Sequence, residues 1–117
     1  MENLNLGLIE ARFAELIWEN EPLSTKELVA LCQKDLQWKR TTTYTVLKKL
    51  CNRGIFITRD SVVQSLISQK NFYAIRSEMF VQENFKGSLP AFLAAFTSRK
   101  ALTPEDLAEI KKLMDAY

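Results

Sequence analysis

The chain contains no histidine, and that absence excludes more chemistry than any other feature of its composition. Histidine triads, histidine general bases and histidine metal ligands are all ruled out. Only two cysteines occur among the 117 residues, Cys32 and Cys51. Two thiols without histidine cannot complete the four ligands of a structural zinc. They read as buried free thiols rather than as a disulfide. Glycine and proline are limited to three each, which argues against a loop-rich or disordered chain. No apolar run approaches the length of a membrane span, so no membrane insertion is expected. The start, Met1-Glu2-Asn3, is polar rather than the opening of a signal peptide, which points to a cytoplasmic protein. Neither a glycine-rich phosphate loop nor a carboxylate cluster is present, so no enzyme, metal or cofactor is expected.

What remains is apolar and unevenly charged. The chain is 47% hydrophobic with a net charge of only +2. Between Leu36 and Ser65, however, Lys39, Arg40, Lys48, Lys49, Arg53 and Arg59 face Asp60 alone. A local basic patch of this kind suits nucleic acid, with a solvated helix face as the plain alternative.

Residues 38–54 are the most informative stretch. A helix starting near Thr41 turns Thr43, Val46, Leu47 and Leu50 inward and Thr42, Thr45, Lys48 and Lys49 outward. Short hydroxyls followed by cations can enter a major groove and meet bases and phosphates. Threonine is also a poor exposed helix former, so the run Thr41-Thr42-Thr43 asks for a reason other than helix stability. Trp38 reads as a brace that touches a phosphate, or else as core. Lys39 and Arg40 precede the helix, where its N-terminus also favours a phosphate. Tyr44 is ambiguous between core edge and DNA contact. Gly54 stops the helix, and residues 55–59 and 61–66 read as a two-stranded wing around Arg59-Asp60-Ser61.

Upstream, Leu8, Ile9, Phe13, Leu16 and Ile17 repeat at helical spacing. Ser24-Thr25-Lys26-Glu27 is a capping box that opens a second helix to about Gln33, burying Leu28, Val29, Leu31 and Cys32. Residues 34–40 are then the turn of a helix-turn-helix. Downstream, Ser68, Ser88 and Thr103 each cap a further helix, with Pro90 and Pro104 tolerable in the first turns. The fold class is therefore mainly α with a small two-stranded β wing. Residues 1–67 form the winged helix-turn-helix domain and 68–117 a three-helix region. That tail is too short for a core of its own. Its Phe stripe needs a partner surface, either the winged helix or a second copy; the second is favoured, with Phe72, Met79, Phe80, Phe92, Phe96, Leu107, Ile110 and Leu113 at the dimer interface, because helix-turn-helix readers commonly bind as symmetric dimers.

Four segments carry a resemblance. They are Leu16-Ile17-Trp18, Ser24-Thr25-Lys26-Glu27-Leu28, the run Trp38 to Gly54, and the tail Phe85-Lys86-Gly87-Ser88-Leu89 with Leu102-Thr103 and Leu107 to Leu113. Across nearly its whole length the chain resembles the penicillinase-repressor family, which includes the methicillin-resistance and copper-responsive repressors. The resemblance implies a winged-helix domain, a helical dimerisation domain and repression at a palindromic double-stranded operator. The DNA-binding residues would be Trp38, Lys39, Arg40, Thr41, Thr42, Thr45, Lys48, Lys49 and Arg59. Some relatives are inactivated by cleavage before a Phe in the second tail helix, in a pathway with a membrane-linked sensor protease. The matching bond here is Ala95–Phe96, with Ala where the best-known members carry Asn. The wing departs from the family pattern, lacking its longer turn and its Gly-Arg-aromatic strand. The C-terminus lacks a Cys-rich tail, leaving copper sensing only Cys32 and Cys51. The competing function is a winged-helix protein-interaction module without sequence-specific DNA binding.

Overall fold

The computed structural model describes residues 4–117; the polar start at residues 1–3 lies outside them. The order of elements is α1 (Leu8–Asn20), β1 (Leu23–Ser24), α2 (Thr25–Leu36), α3 (Arg40–Asn52), β2 (Phe56–Arg59), β3 (Val62–Ser65), α4 (Gln69–Phe85), α5 (Leu89–Arg99) and α6 (Pro104–Asp115). The chain divides into two compact units, Met1–Arg76 and Ser77–Tyr117.

In the first unit, α1 buries Phe13, Ala14, Leu16 and Ile17. Leu8 and Ile9, which share the helical spacing, stand outside the core. The capping box forms as the residues require. Ser24 Oγ accepts from Glu27 N–H at 3.0 Å, and Glu27 Oε1 accepts from Ser24 N–H at 3.1 Å. Helix α2 continues three residues past Gln33, because Leu36 extends the row of Leu28 and Cys32 and no Gly or Pro intervenes. Val29 and Leu31 are only half-buried. Gln37 ends the helix in the left-handed region, with φ 57°, so the turn shrinks to residues 37–39. Helix α3 buries Thr43, Leu47 and Leu50. Gly54 stops it at φ 80°, which lets the Ile55 N–H return to the Leu50 carbonyl at 3.1 Å.

The wing has three strands rather than the expected two, in the antiparallel order β1-β3-β2. Leu23 is extended because it leads into the Ser24 cap, and it is buried. Its backbone can therefore pair with the second edge of β3, at Leu23↔Val63 and Ser24↔Val62. On the other edge, Phe56 pairs with Ser65 and Arg59 with Val62. Asp60 and Ser61 both take positive φ, 50° and 62°, the pattern of a two-residue hairpin loop that matches strand twist. Glu21, just past α1, clamps β3 by accepting from Ser65 N–H at 2.7 Å and from its hydroxyl at 2.7 Å.

One core gathers α1, α2, α3, the sheet and the start of α4 around Phe13, Ile17, Leu28, Leu50, Phe56, Val63 and Phe72. Trp18 ties the last of these in. Its ring lies 5.4 Å from Phe56 and 5.2 Å from Phe72, and its Nε1–H donates to the Ile67 carbonyl at 3.0 Å. Phe72, expected at a dimer surface, is instead fully buried within this unit. It sits one turn after the Ser68 cap, where α4 first meets Trp18, so burial there removes it from any surface offered to a partner.

The second unit comprises the end of α4, α5 and α6. Ser88 Oγ caps α5 through Ala91 N–H at 3.1 Å, and Thr103 Oγ1 caps α6 through Asp106 N–H at 3.0 Å. Phe80, Phe85, Phe92 and Phe96 form an aromatic chain, with successive centroids 5.6–6.2 Å apart. None of its residues is fully buried. Leu107, Leu113 and Met114 of α6 are 55%, 62% and 69% exposed.

Candidate nucleic-acid interface

The outward face of α3 is a strip of Thr41, Thr42, Thr45, Lys48 and Lys49, all exposed. Their inward counterparts fix its orientation. Thr43 is fully buried, and its hydroxyl donates to the Lys39 carbonyl at 3.4 Å. Thr45 is constrained in a useful way. Its hydroxyl donates to the Thr41 carbonyl at 2.9 Å, which uses its single proton. What Thr45 presents outward is an acceptor oxygen and a methyl group, suited to an amino group or a thymine methyl in a major groove.

The N-terminus of α3 differs from those of α2, α5 and α6. Its N-cap is Lys39, whose side chain caps nothing, and no acidic residue occupies the first turn. The leading N–H groups therefore point into solvent beside two cations, an arrangement that attracts an anion. Arg40 lies 5.6 Å over the Tyr44 ring, so its guanidinium is held at this end of the helix. Tyr44 in turn bonds Thr25, and that bond, with a smaller contribution from Arg40, holds its phenol below the ordinary value. Tyr44 is exposed, outside the core, and its ring braces Arg40. Trp38 is half-buried and stacks on Phe13 at 5.4 Å, with 27° between planes. The stack anchors the turn. Unlike that of Trp18, the Trp38 indole N–H bonds to no group among the described residues.

The two lysines at the end of the strip are not equivalent. Lys48 makes no ion pair among the described residues, whereas Lys49 Nζ lies 2.7 Å from Glu10 Oε2. Arg53 reaches the same carboxylate at 3.6 Å and also donates to the Asn5 carbonyl at 3.2 Å. The Lys49 bond, the Gly7 N–H and the charge of both cations keep the Glu10 carboxyl below its ordinary value, against partial burial. Sequence reading missed Glu10 because its partners lie some forty residues away. Its only local signal is the backbone N–H of Gly7, which it accepts at 3.2 Å at the start of α1. Arg59 stands exposed at the wing tip beside Asp60 and Ser61, without an ion pair among the described residues.

Among the described residues, no three His, Cys, Asp or Glu side chains gather to hold a metal ion. Cys32 is buried and Cys51 half-buried, both are free, and burial pushes both thiols above their ordinary value. No helix among the described residues is long and apolar enough to cross a membrane.

The residues expected to mediate dimerisation, Phe72 apart, lie in the second unit. Phe80, Phe96, Leu107 and Leu113 are exposed there, and Met79, Phe92 and Ile110 half-buried. A groove of about 300 Å³ between α5 and α6 is lined by Phe92, Leu93, Phe96, Leu102, Ile110 and Leu113, with Asp106 and Glu109 at its edge. The Ala95–Phe96 bond lies inside α5, with the Ala95 carbonyl accepting from the Ser98 hydroxyl at 2.7 Å.

Residues 6–116 match the model of the family described as penicillinase repressor. The chain is 20% identical over 112 residues to the penicillinase repressor of Bacillus licheniformis, covering 92% of this chain and 88% of that protein. It is 22% identical over 111 residues to the methicillin resistance regulatory protein MecI of Staphylococcus aureus, covering 91% and 89%.

Proposed function

The chain belongs to the penicillinase repressor family, and from that premise we propose that it acts as a dimer that lays α3 in the major groove of a palindromic operator. At the coarser level it is a DNA-binding transcriptional repressor and not an enzyme. The observation that carries the finer reading is the outward strip of α3, where exposed threonines sit between an uncapped, cation-flanked N-terminus and Lys48. Thr42 and Thr45 read base edges. Trp38, Lys39, Arg40, Thr41 and Lys48 meet phosphates, and Arg59 reaches the backbone from the wing. The second unit supports dimerisation because it leaves Phe80, Phe96, Leu107 and Leu113 uncovered in one chain. A dimer holds two half-sites at once and gains the effective concentration that single domains lack.

Repression is relieved by cutting Ala95–Phe96, in a pathway that starts at a membrane-linked sensor protease and ends in the cytoplasm. The cut would detach α6 from the dimerising unit. Because the bond is helical, the protease acts on a locally opened α5. Full-length chain recovered from induced cells, intact by mass spectrometry yet released from DNA, would refute this relief mechanism.

The experiment for the main reading is selection from a randomised duplex pool, followed by binding of the selected duplex across a salt series. The expected result is an inverted repeat with half-sites one helical turn apart, or a multiple of it. Affinity should fall with salt at about −0.9 in log–log slope per phosphate contact. A flat salt response would instead favour a winged-helix module that binds protein.

A further inference from the structure

The cations of α3 are divided by a single carboxylate. Lys48 is unpaired among the described residues, whereas Lys49 and Arg53 converge on Glu10 of α1 at 2.7 and 3.6 Å. The same carboxylate accepts the Gly7 N–H at 3.2 Å, so it is anchored by the start of its own helix and does not swing freely. Its side chain is only 20% exposed, as is that of Arg53, while Lys49 is 52% exposed. Arg53 is also tied to the Asn5 carbonyl. The groups facing Glu10 are therefore two cations and one backbone N–H, with no second acid among the ion pairs of Lys49 and Arg53.

A cation bound to a protein carboxylate contributes less to a phosphate than a free one. Direct contact with DNA would require Lys49 either to leave Glu10 or to share its remaining ammonium protons. Net charge near the flank of α3 falls by one unit as well. Phosphate attraction is independent of sequence, so what is removed here is affinity for any DNA. We infer that Glu10 sets the overall DNA affinity: by holding Lys49 and Arg53 it withholds sequence-independent phosphate attraction from operator and non-operator duplex alike. The inference rests on the DNA reading of α3 and goes beyond it, because it assigns a role to a residue outside the recognition helix.

The test uses the full chain, a mixed-sequence 30-bp duplex and the duplex that the wild-type protein selects from a random pool. Glu10→Gln removes the charge and retains a carbonyl for the Gly7 N–H. Glu10→Ala removes both, and Glu10→Asp keeps the charge. Both neutral variants should bind the mixed duplex roughly fivefold tighter at 50 mM salt, with a log–log salt slope steeper by about 0.9. The selected duplex should gain by the same factor, so that the ratio of selected to mixed binding stays at the wild-type value, while Glu10→Asp keeps the wild-type slope. An unchanged slope in the folded neutral variants, or a gain confined to one of the two duplexes, would overturn the inference. So would weaker binding to both duplexes, which would mean that the carboxylate sets the cations in place for phosphates. If the wild-type protein itself shows no salt-dependent binding, the DNA reading has failed, a result distinct from either outcome.

Discussion

The two compact units contain similar side chains and treat them differently. In the first, Phe13, Phe56 and Phe72 are 1% exposed or less. In the second, Phe80 and Phe96 remain 43% and 45% exposed, and no residue is fully buried. The helices themselves are equally well specified. Ser88 and Thr103 cap α5 and α6 with the same geometry that Ser24 gives α2. Local signals therefore form a helix wherever they occur, but a core needs surfaces on several sides. The first unit has three helices, a sheet and the start of α4 to close around Trp18 and Phe72. The second has two helices and the remainder of a third. Its apolar groups stay partly exposed, and that exposure is what supports the proposed dimer.

The sharpest way to break this contrast is to remove one phenyl ring from each side. Phe72→Ala should destabilise the first unit by about 3–5 kcal/mol, through lost burial and the cavity left beside Trp18. Phe96→Ala should leave the unfolding midpoint of that unit unchanged in urea titrations followed by tryptophan fluorescence, since Trp18 and Trp38 both report from it. Equal losses would show that the two units share one cooperative core.

A buried charge should have the next largest effect. Phe96→Asp should convert a dimer to a monomer in light scattering and weaken operator binding in parallel, because a carboxylate at a buried contact lacks a partner. The same substitution at Phe80 should behave alike. A dimer that persists in both variants would remove the second unit from the interface.

The legibility of the sequence follows the same division. The first unit could be read well because its signals are local: the Ser24–Glu27 box, the Gly54 stop and the threonine strip each act within a few residues. What escaped was long-range. Strand β1 is two residues long and exists only because β3 offers an edge. Glu10 is separated from Lys49 and Arg53 by most of the unit. Phe72 lies in a helix that reads as tail, yet packs on Trp18. Pairing partners distant in sequence leave no periodicity to detect.

Within the strip itself, Thr45 separates methyl from hydroxyl. Thr45→Val keeps a methyl and removes the acceptor, while Thr45→Ala removes both. If the contact is to a thymine methyl, Val should bind as wild type and Ala should lose about 1–3 kcal/mol of discrimination at one operator position. If both lose equally, the acceptor oxygen is what matters. If neither changes any position, Thr45 does not face a base.

The smallest expected effect uses backbone strain as a probe of both units. Ser61 sits at φ 62° in the wing loop, and Lys86 at φ 52° just before Gly87. A left-handed conformation costs an ordinary residue about 1–2 kcal/mol, and glycine removes that cost. Glycine also raises the entropy of the unfolded chain, which takes back about 0.4–1 kcal/mol. Ser61→Gly should therefore stabilise the first unit by a net of about 0.5–1 kcal/mol. Nothing else is lost there, since it is the Ser61 carbonyl, kept by glycine, that accepts the Thr25 N–H at 2.9 Å. Lys86→Gly relieves the same strain in a unit that has no buried residue of its own. Its gain should leave the midpoint reported by Trp18 and Trp38 where it was and, on the proposed dimer, should show instead as a melting signal that depends on protein concentration. If Lys86→Gly raises the tryptophan-detected midpoint independently of concentration, the second unit is stabilised by its own chain, and the contrast between the two units does not hold.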